Sequence, residues 1–265
     1  MNPVSGPTAP PLAGLRVVVT RAEAQATELA RLLSEAGAFV AALPLIEVIP
    51  PADPRPLLRA ASELPLYDWA VFTSANGARA LLDAAEESLP ARLAIAVVGN
   101  ATAAVLREAG FEPRLIATKG NAEALLADLA PHVAHARVLL PQAADARPML
   151  ARGLEAAGAD LSIVIAYDKR LPPDAPTRAA TLFSSGPLGW VTFTSGGIAR
   201  RFADLFGRDW PERRRDLLGA SVGPVTSADL RALGVEPAVE AAQPTDEALV
   251  AGIVARVNGS YRPSL

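Results

Sequence analysis

Cysteine is absent from the 265 residues. Disulfides, thiolate catalysis and sulfur-ligated metals are therefore excluded. Histidine is almost absent. His132 and His135 stand three apart in PHVAH with no carboxylate cluster or third ligand, and read as a solvated helix end rather than a metal site. There is no basic excess either: 25 Lys plus Arg stand against 28 Asp plus Glu, a net charge of −3. That balance argues against a general nucleic-acid or membrane-surface binder. It leaves room for an anionic small molecule, because backbone amides bind anions without net charge.

Long apolar runs are also missing. Segments such as 93–98 and 161–166 fall far short of the roughly 20 residues a membrane helix needs. Residues 1–14, MNPVSGPTAPPLAG, lack a charged n-region and an apolar h-region. They read as a flexible tail, and a cytoplasmic protein is expected. Phosphate fingerprints are lacking too. Where a GxGxxG would follow the first strand stand Thr20-Arg21-Ala22-Glu23 and, in a second copy, Pro141-Gln142-Ala143-Ala144. With no P-loop motif either, nicotinamide, flavin and P-loop chemistry are unsupported. The absence of a Gly-x-Ser-x-Gly elbow speaks against a serine hydrolase.

What is present is a composition of 51% hydrophobic and 20% charged residues, enough for a sizeable core in one large domain or two ordinary ones. A duplication runs through it. LRVVVTRAEAQATELARLLSEAGAFV (15–40) is echoed by ARVLLPQAADARPMLARGLEAAGADL (136–161), and DWAVFTSANGARAL (68–81) by GWVTFTSGGIARRF (189–202). AVVGNATAAVLREAGFEP (96–113) returns as ASVGPVTSADLRALGVEP (220–237), and NAEALLADL (121–129) as TDEALVAGI (245–253). Four blocks in the same order mark two copies of one unit of roughly 120 residues.

Each copy alternates strands and helices. Strands are expected at 16–20, 41–48, 69–73, 94–98 and 114–116. Helices are expected over Leu29, Leu32 and Leu33 up to Gly37, over about 77–85 and 101–109, and after Asn121. Such alternation implies βα units with parallel sheets covered by helices, hence two doubly wound α/β domains. The boundary stays open on periodicity alone. Either the chain divides near residue 133, or the first strand and helix of each copy are exchanged, with crossings near 43–50 and 163–171.

Ligands of open α/β sheets bind where strand carboxyl ends feed helix N-termini. Four loops there carry small hydroxyl or amide residues: 73–77 (TSANG), 99–102 (GNAT), 194–197 (TSGG) and 223–226 (GPVT). Singly each reads as a helix cap, and Thr102 and Thr226 are expected to cap their helices. At equivalent places in two copies they suggest anion sites. Arg200-Arg201 and 212–215 read as solvated basic surface. Tyr167, one of three tyrosines, ends the strand-like run 162–166 and could donate a proton or hydrogen bond, or be a satisfied core phenol.

Together the segments VVGNATAAVLREAGFEP (97–113), KGNAEALLADL (119–129), VIAYDKRLP (164–172), VTFTSGGIARRF (191–202) and SVGPVTSADLRALGVEP (221–237) resemble the uroporphyrinogen-III synthase family, over residues 15–254. The resemblance implies two flavodoxin-like domains joined by a two-stranded linker, with the active site in the cleft. It favours the exchanged division, 1–47 plus 172–265 and 48–171. It implies a cofactor-free, metal-free lyase that takes hydroxymethylbilane, a linear tetrapyrrole with eight carboxylates, loses water, inverts ring D through a spiro intermediate and closes the macrocycle. Hand-over from a hydroxymethylbilane synthase to a monomeric enzyme goes with it.

Carried onto this chain, the resemblance makes Tyr167 the group that assists departure of the hydroxyl. It makes Arg21, Ser74, Asn76, Thr102, Ser195, Gly196 and Thr226 substrate-binding, the loop residues largely through backbone N–H groups. Gln142 stands where a counterpart to Arg21 would be, so paired arginines are absent. Two other classes compete: a hinge-closing small-anion receptor without catalysis, and a degenerate regulatory domain. The presence of Tyr167 and both threonines disfavours the latter.

Overall fold

The computed structural model describes residues 9–184, 186 and 188–259, excepting the side chains of 23–25; residues 1–8 of the expected tail lie outside them. The chain opens with β1 (Arg16–Val19), α1 (Glu23–Glu35) and β2 (Phe39–Ala42). There follow β3 (Glu47–Ile49), α2 (Arg55–Ser62), β4 (Trp69–Phe72), α3 (Ala75–Ala84), β5 (Ala94–Val97), α4 (Asn100–Glu108), β6 (Leu115–Ile116) and α5 (Ala122–Leu129). Next come β7 (Arg137–Ala143), α6 (Met149–Ala156), β8 (Asp160–Arg170) and α7 (Ala175–Leu182). The chain then runs through β9 (Gly189–Phe193), α8 (Gly196–Asp204), α9 (Trp210–Arg213), β10 (Leu217–Ser221), α10 (Pro224–Ala232), β11 (Val239–Glu240) and α11 (Asp246–Val257).

These elements form two compact units, one discontinuous (Met1–Glu47 with Arg170–Leu265) and one continuous (Val48–Lys169). The discontinuous unit holds a sheet ordered β11-β10-β9-β1-β2, the continuous unit one ordered β3-β8-β7-β4-β5-β6. Apart from edge strand β3, the orders are the same. In each, the strand–helix–strand that begins one copy completes the sheet of the other. β1 sits centrally in a parallel sheet with helices on both faces, so Val17, Val18 and Val19 are all buried. That is why RVVV is unbroken rather than alternating. Leu29 and Leu33 of α1 join Val17, Val19, Leu249 and Ile253 in one of this unit's cores.

Four expectations need correction. The strand expected at 41–48 is two strands. The Leu43 and Leu45 N–H groups still donate to the Val19 and Thr20 carbonyls, but Pro44 between them has no N–H and ends the ladder. The chain then restarts as β3, whose Glu47 is gripped by Arg170 of β8 at 2.8 Å; that guanidinium holds the Glu47 carboxyl below its usual range.

The run expected to stop at residue 166 continues to Arg170, with a bulge inside it. Gln142 pairs with Ile165 but Ala143 with Tyr167, leaving Ala166 as the extra residue. Ile163 and Ile165 are exposed, whereas Ala166 and Tyr167 are both buried. Strict alternation would have put Tyr167 on the exposed face. The bulge turns it inward, as such features do where a strand must re-aim a side chain.

The tail is shorter than its composition implies. Leu12 is fully buried and its N–H donates to the Ala36 carbonyl at 2.9 Å. It closes the gap where α1 ends, beside Leu33 and Ala38. There Gly37 takes φ +93°, and a Cβ would meet the Pro10 side chain at 2.5 Å. Basic residues expected to be solvated also have partners: Arg213 donates to the Phe183 carbonyl, Arg214 to that of Leu233, and Arg200 pairs with Asp229. Because Leu12 is a core side chain, Leu12→Ala is expected to lower unfolding free energy by about 2–5 kcal/mol. Denaturant unfolding checks this, and a loss under about 0.5 kcal/mol would return residues 9–14 to the tail.

Candidate active site

In the continuous unit the loop after β4 is Thr73-Ser74. Ser74 caps α3, its Oγ accepting from the Gly77 N–H at 3.1 Å. The same Oγ lies 3.0 Å from the Tyr167 hydroxyl. The β8 bulge thus delivers a 6%-exposed phenol to the capping atom of a helix. The Lys169 ammonium lies 5.7 Å from the centroid of the Tyr167 ring and pairs with Asp145 at 3.0 Å. Asn76 occupies the first turn of α3, and its side chain makes no hydrogen bond among the described residues.

Beside it, the loop after β5 leads into α4. Contrary to expectation, Thr102 does not cap this helix. Gly99 holds the cap position with no side-chain bond, and Thr102 lies within α4, buried. α10 of the other unit repeats this: Gly223 holds the cap position, Pro224 is the first helical residue and Thr226 is buried. The reason is register. GNAT and GPVT place the threonine three residues beyond the glycine, one turn too late for an N-cap side chain to reach back. Neither hydroxyl has a hydrogen bond among the described residues, yet no buried side-chain polar atom there lacks a partner. Both oxygens therefore keep a path to water. The first-turn amides of α4 and α10 are left without a capping side chain, those of α10 beginning only at Val225 because Pro224 has no N–H.

In the discontinuous unit Ser195 caps α8, accepting from the Ile198 N–H at 3.3 Å, the counterpart of Ser74. Gly196 begins α8 and is buried; a Cβ there would overlap the Asp229 carboxylate of α10. A glycine is required because that carboxylate packs against the helix start. Arg21, in the loop after β1, is bound through Nη1 by both carboxylate oxygens of Asp246 at 2.9 and 3.0 Å. Asp246 and Asp229 as partners were not legible in the sequence, because each contact joins different βα units, the first across 225 residues and the second across 29. Lys169 had a local signal: in an extended strand, the residue two beyond Tyr167 lies on the same face.

The units thus share a design: one loop capped by serine, its sheet neighbour opened by glycine with a buried threonine one turn in. That defines a duplicated, doubly wound α/β protein with polar sites at strand carboxyl ends. A family model described as uroporphyrinogen-III synthase HemD matches residues 27–251. A uroporphyrinogen-III synthase of Synechococcus elongatus is 33% identical over 256 residues, covering 92% of this chain and 96% of the relative. A putative uroporphyrinogen-III synthase of Methanothermobacter thermautotrophicus is 27% identical over 232 residues, 83% of this chain and 90% of its own.

The chain belongs to the uroporphyrinogen-III synthase family. Solved structures share the fold. A mutant uroporphyrinogen III synthase from the extremely thermophilic bacterium Thermus thermophilus aligns with a TM-score of 0.63 at 19% identity, over 92% of this chain and 99% of its own. The enzyme of Helicobacter pylori aligns at 0.61 and 17%, over 91% and 99%.

The caps give a paired prediction. Ser74→Ala removes the acceptor of the Gly77 N–H and is expected to cost about 1 kcal/mol. Thr102→Val, which keeps the shape and removes no cap, is expected to stay within about 0.5 kcal/mol of the parent. Chemical denaturation of both variants tests the assignment, and equal losses would contradict it.

Proposed function

We infer that this chain closes hydroxymethylbilane to uroporphyrinogen III, losing water and inverting the terminal ring, as a cyclising lyase of tetrapyrrole biosynthesis. Membership of the family carries this reading, and it displaces the non-catalytic anion-binding alternative. The chemistry asks little of the protein. The nitrogen lone pair of a pyrrole expels the hydroxyl of its own hydroxymethyl group, leaving an azafulvene cation. The departing oxygen takes up a proton and leaves as water. The cation is attacked by the substituted carbon of the last ring, and the resulting spiro centre opens and recloses inverted. Loss of a proton from the newly bonded ring carbon restores the neutral pyrrole.

The Tyr167 phenol is suited to supply that proton or a hydrogen bond to the departing oxygen. Ser74 accepts from the Gly77 N–H and can direct its own O–H toward the phenol oxygen. The Tyr167 O–H is then free to point at substrate, and each donor in the chain polarises the next. Carboxylates are held by neutral donors: the first-turn amides of α4 and α10, Asn76, and the hydroxyls of Thr102 and Thr226, with Ser195 and Gly196 shaping the start of α8. Arg21 supports this set through Asp246.

Selectivity is the task. Closure without inversion competes, and a hundredfold preference needs about 2.7 kcal/mol between the two transition states. Positioning of both substrate ends can supply that. Because the free bilane closes spontaneously, direct hand-over from a hydroxymethylbilane synthase fits. A substrate with eight carboxylates does not cross a bilayer unaided, so we place the reaction in the cytoplasm, carried out by a monomer.

Incubating the purified protein with hydroxymethylbilane and analysing the oxidised product tests the reading: type III isomer is expected, and spontaneous type I alone would refute it. Tyr167→Phe is expected to slow formation of type III by about 10²-fold or less, since positioned acid catalysis contributes about 10²–10⁴-fold and water can substitute in part. Unchanged rate and isomer ratio would make Tyr167 a structural residue. A normal rate with more type I would make it a positioning group.

A further inference from the structure

Tyr167 also borders a cavity of about 480 Å³ that lies wholly within the continuous unit. Its volume falls in the range of small-molecule clefts, about 300–1,000 Å³. The cavity has a physical origin. α3 presents Ala80 and Ala84 toward it, and α2 approaches with Leu57 and Leu58; two alanines leave space that larger residues would fill. Pro50, Pro51 and Pro54 line it as well, and prolines have no N–H to offer. This wall therefore suits the face of an uncharged ring better than a hydrated polar group. Leu58 and Val48 on the same wall stay 52% and 39% exposed.

Polar groups line the same space, beside these alanines on α3. Asn76, Arg79 and Asp83 follow one another at spacings of three and four on α3 and line the cavity with Tyr167, so they share one helix face. Arg79 is exposed and makes no ion pair among the described residues, not even with Asp83 one turn on. An apolar slot, an uncommitted guanidinium and the proposed proton donor thus border the same space.

We propose that this cavity is a subsite for one pyrrole ring of the substrate, with Arg79 holding a carboxylate carried by that ring. The inference rests on the proposed function and names a part of its site. The ring lies against the proline and leucine wall, and its carboxylate takes the guanidinium in the charge-assisted geometry that arginine favours. Asn76 adds a neutral donor. Asp83 opposes the bound carboxylate, which makes the two charges on this helix face act with opposite sign.

That opposition supplies the test. In steady-state assays with hydroxymethylbilane, Arg79→Gln is expected to raise KM about tenfold with kcat within about twofold. Arg79→Lys is expected to recover part of that loss, and Asp83→Asn to lower KM about two- to threefold. Melting curves of all three are expected to match the parent, since both side chains are exposed. KM within twofold of the parent in Arg79→Gln, or Arg79→Gln and Asp83→Asn moving KM in the same direction, would overturn the subsite while leaving the cyclase reading intact. A parent protein that forms no type III isomer would overturn the cyclase reading and the subsite with it.

Discussion

A parallel sheet delivers the carboxyl end of every strand to one edge, and the helix that follows each strand must begin there. The pairings among β1, β2, β9, β10 and β11 and among β4 to β8 are parallel, so each unit gathers helix N-termini along a single border. Every such terminus brings up to four unpaired N–H groups. α3, α5, α8 and α11 answer with Ser74, Asn121, Ser195 and Thr245; α4 and α10 have no capping side chain, and neither do α1 and α6. Each choice is the same in the two copies. A cap is worth about 1 kcal/mol, so bare termini such as those of α4 and α10 forgo stability in a way that a bound carboxylate would restore.

The phenol depends on that border too. Were β8 regular through Ala166, Tyr167 would share the outward face of Ile163 and Ile165 and miss Ser74 entirely. The bulge is adjacent to the end of the register with β7, where the ladder has least to lose. One hydroxyl then serves two purposes, since Ser74 both caps α3 and holds the tyrosine. A change at Ser74 should therefore be read against both roles, and effects of Ser74 and Tyr167 substitutions are not expected to add.

The strand–helix alternation was legible because buried parallel strands such as RVVV and WAVF are continuous apolar runs, and because glycines such as Gly37 and Gly110 close helices in the left-handed region. Asn121 followed by Glu123 announced its helix correctly. What escaped was fixed by non-local contact. α2 hides in a proline-rich stretch, although prolines at a helix start are compatible with the fold. Leu12 looks like tail until the end of α1 provides a socket for it. Thr102 and Thr226 looked like caps because residue type alone does not give register. Arg21 looked available until Asp246, far along the chain, took it up.

Charge completes the account. A chain of net charge −3 does not steer a polyanion by its overall field, so its affinity must come from short-range donors. Neutral amides and hydroxyls have a further merit for this reaction. Expulsion of the hydroxyl creates a cation on the substrate, and a bare lysine or arginine about 4 Å away would oppose it by about 4 kcal/mol at an effective dielectric of 20, roughly a thousandfold in rate. Lys169, which lies over the Tyr167 ring, is neutralised by Asp145, and Arg21 by Asp246. An arginine such as Arg79 is tolerable on the same argument only if a substrate carboxylate meets it. The substrate's own carboxylates then remain the dominant local charge where the cation forms, and they stabilise it.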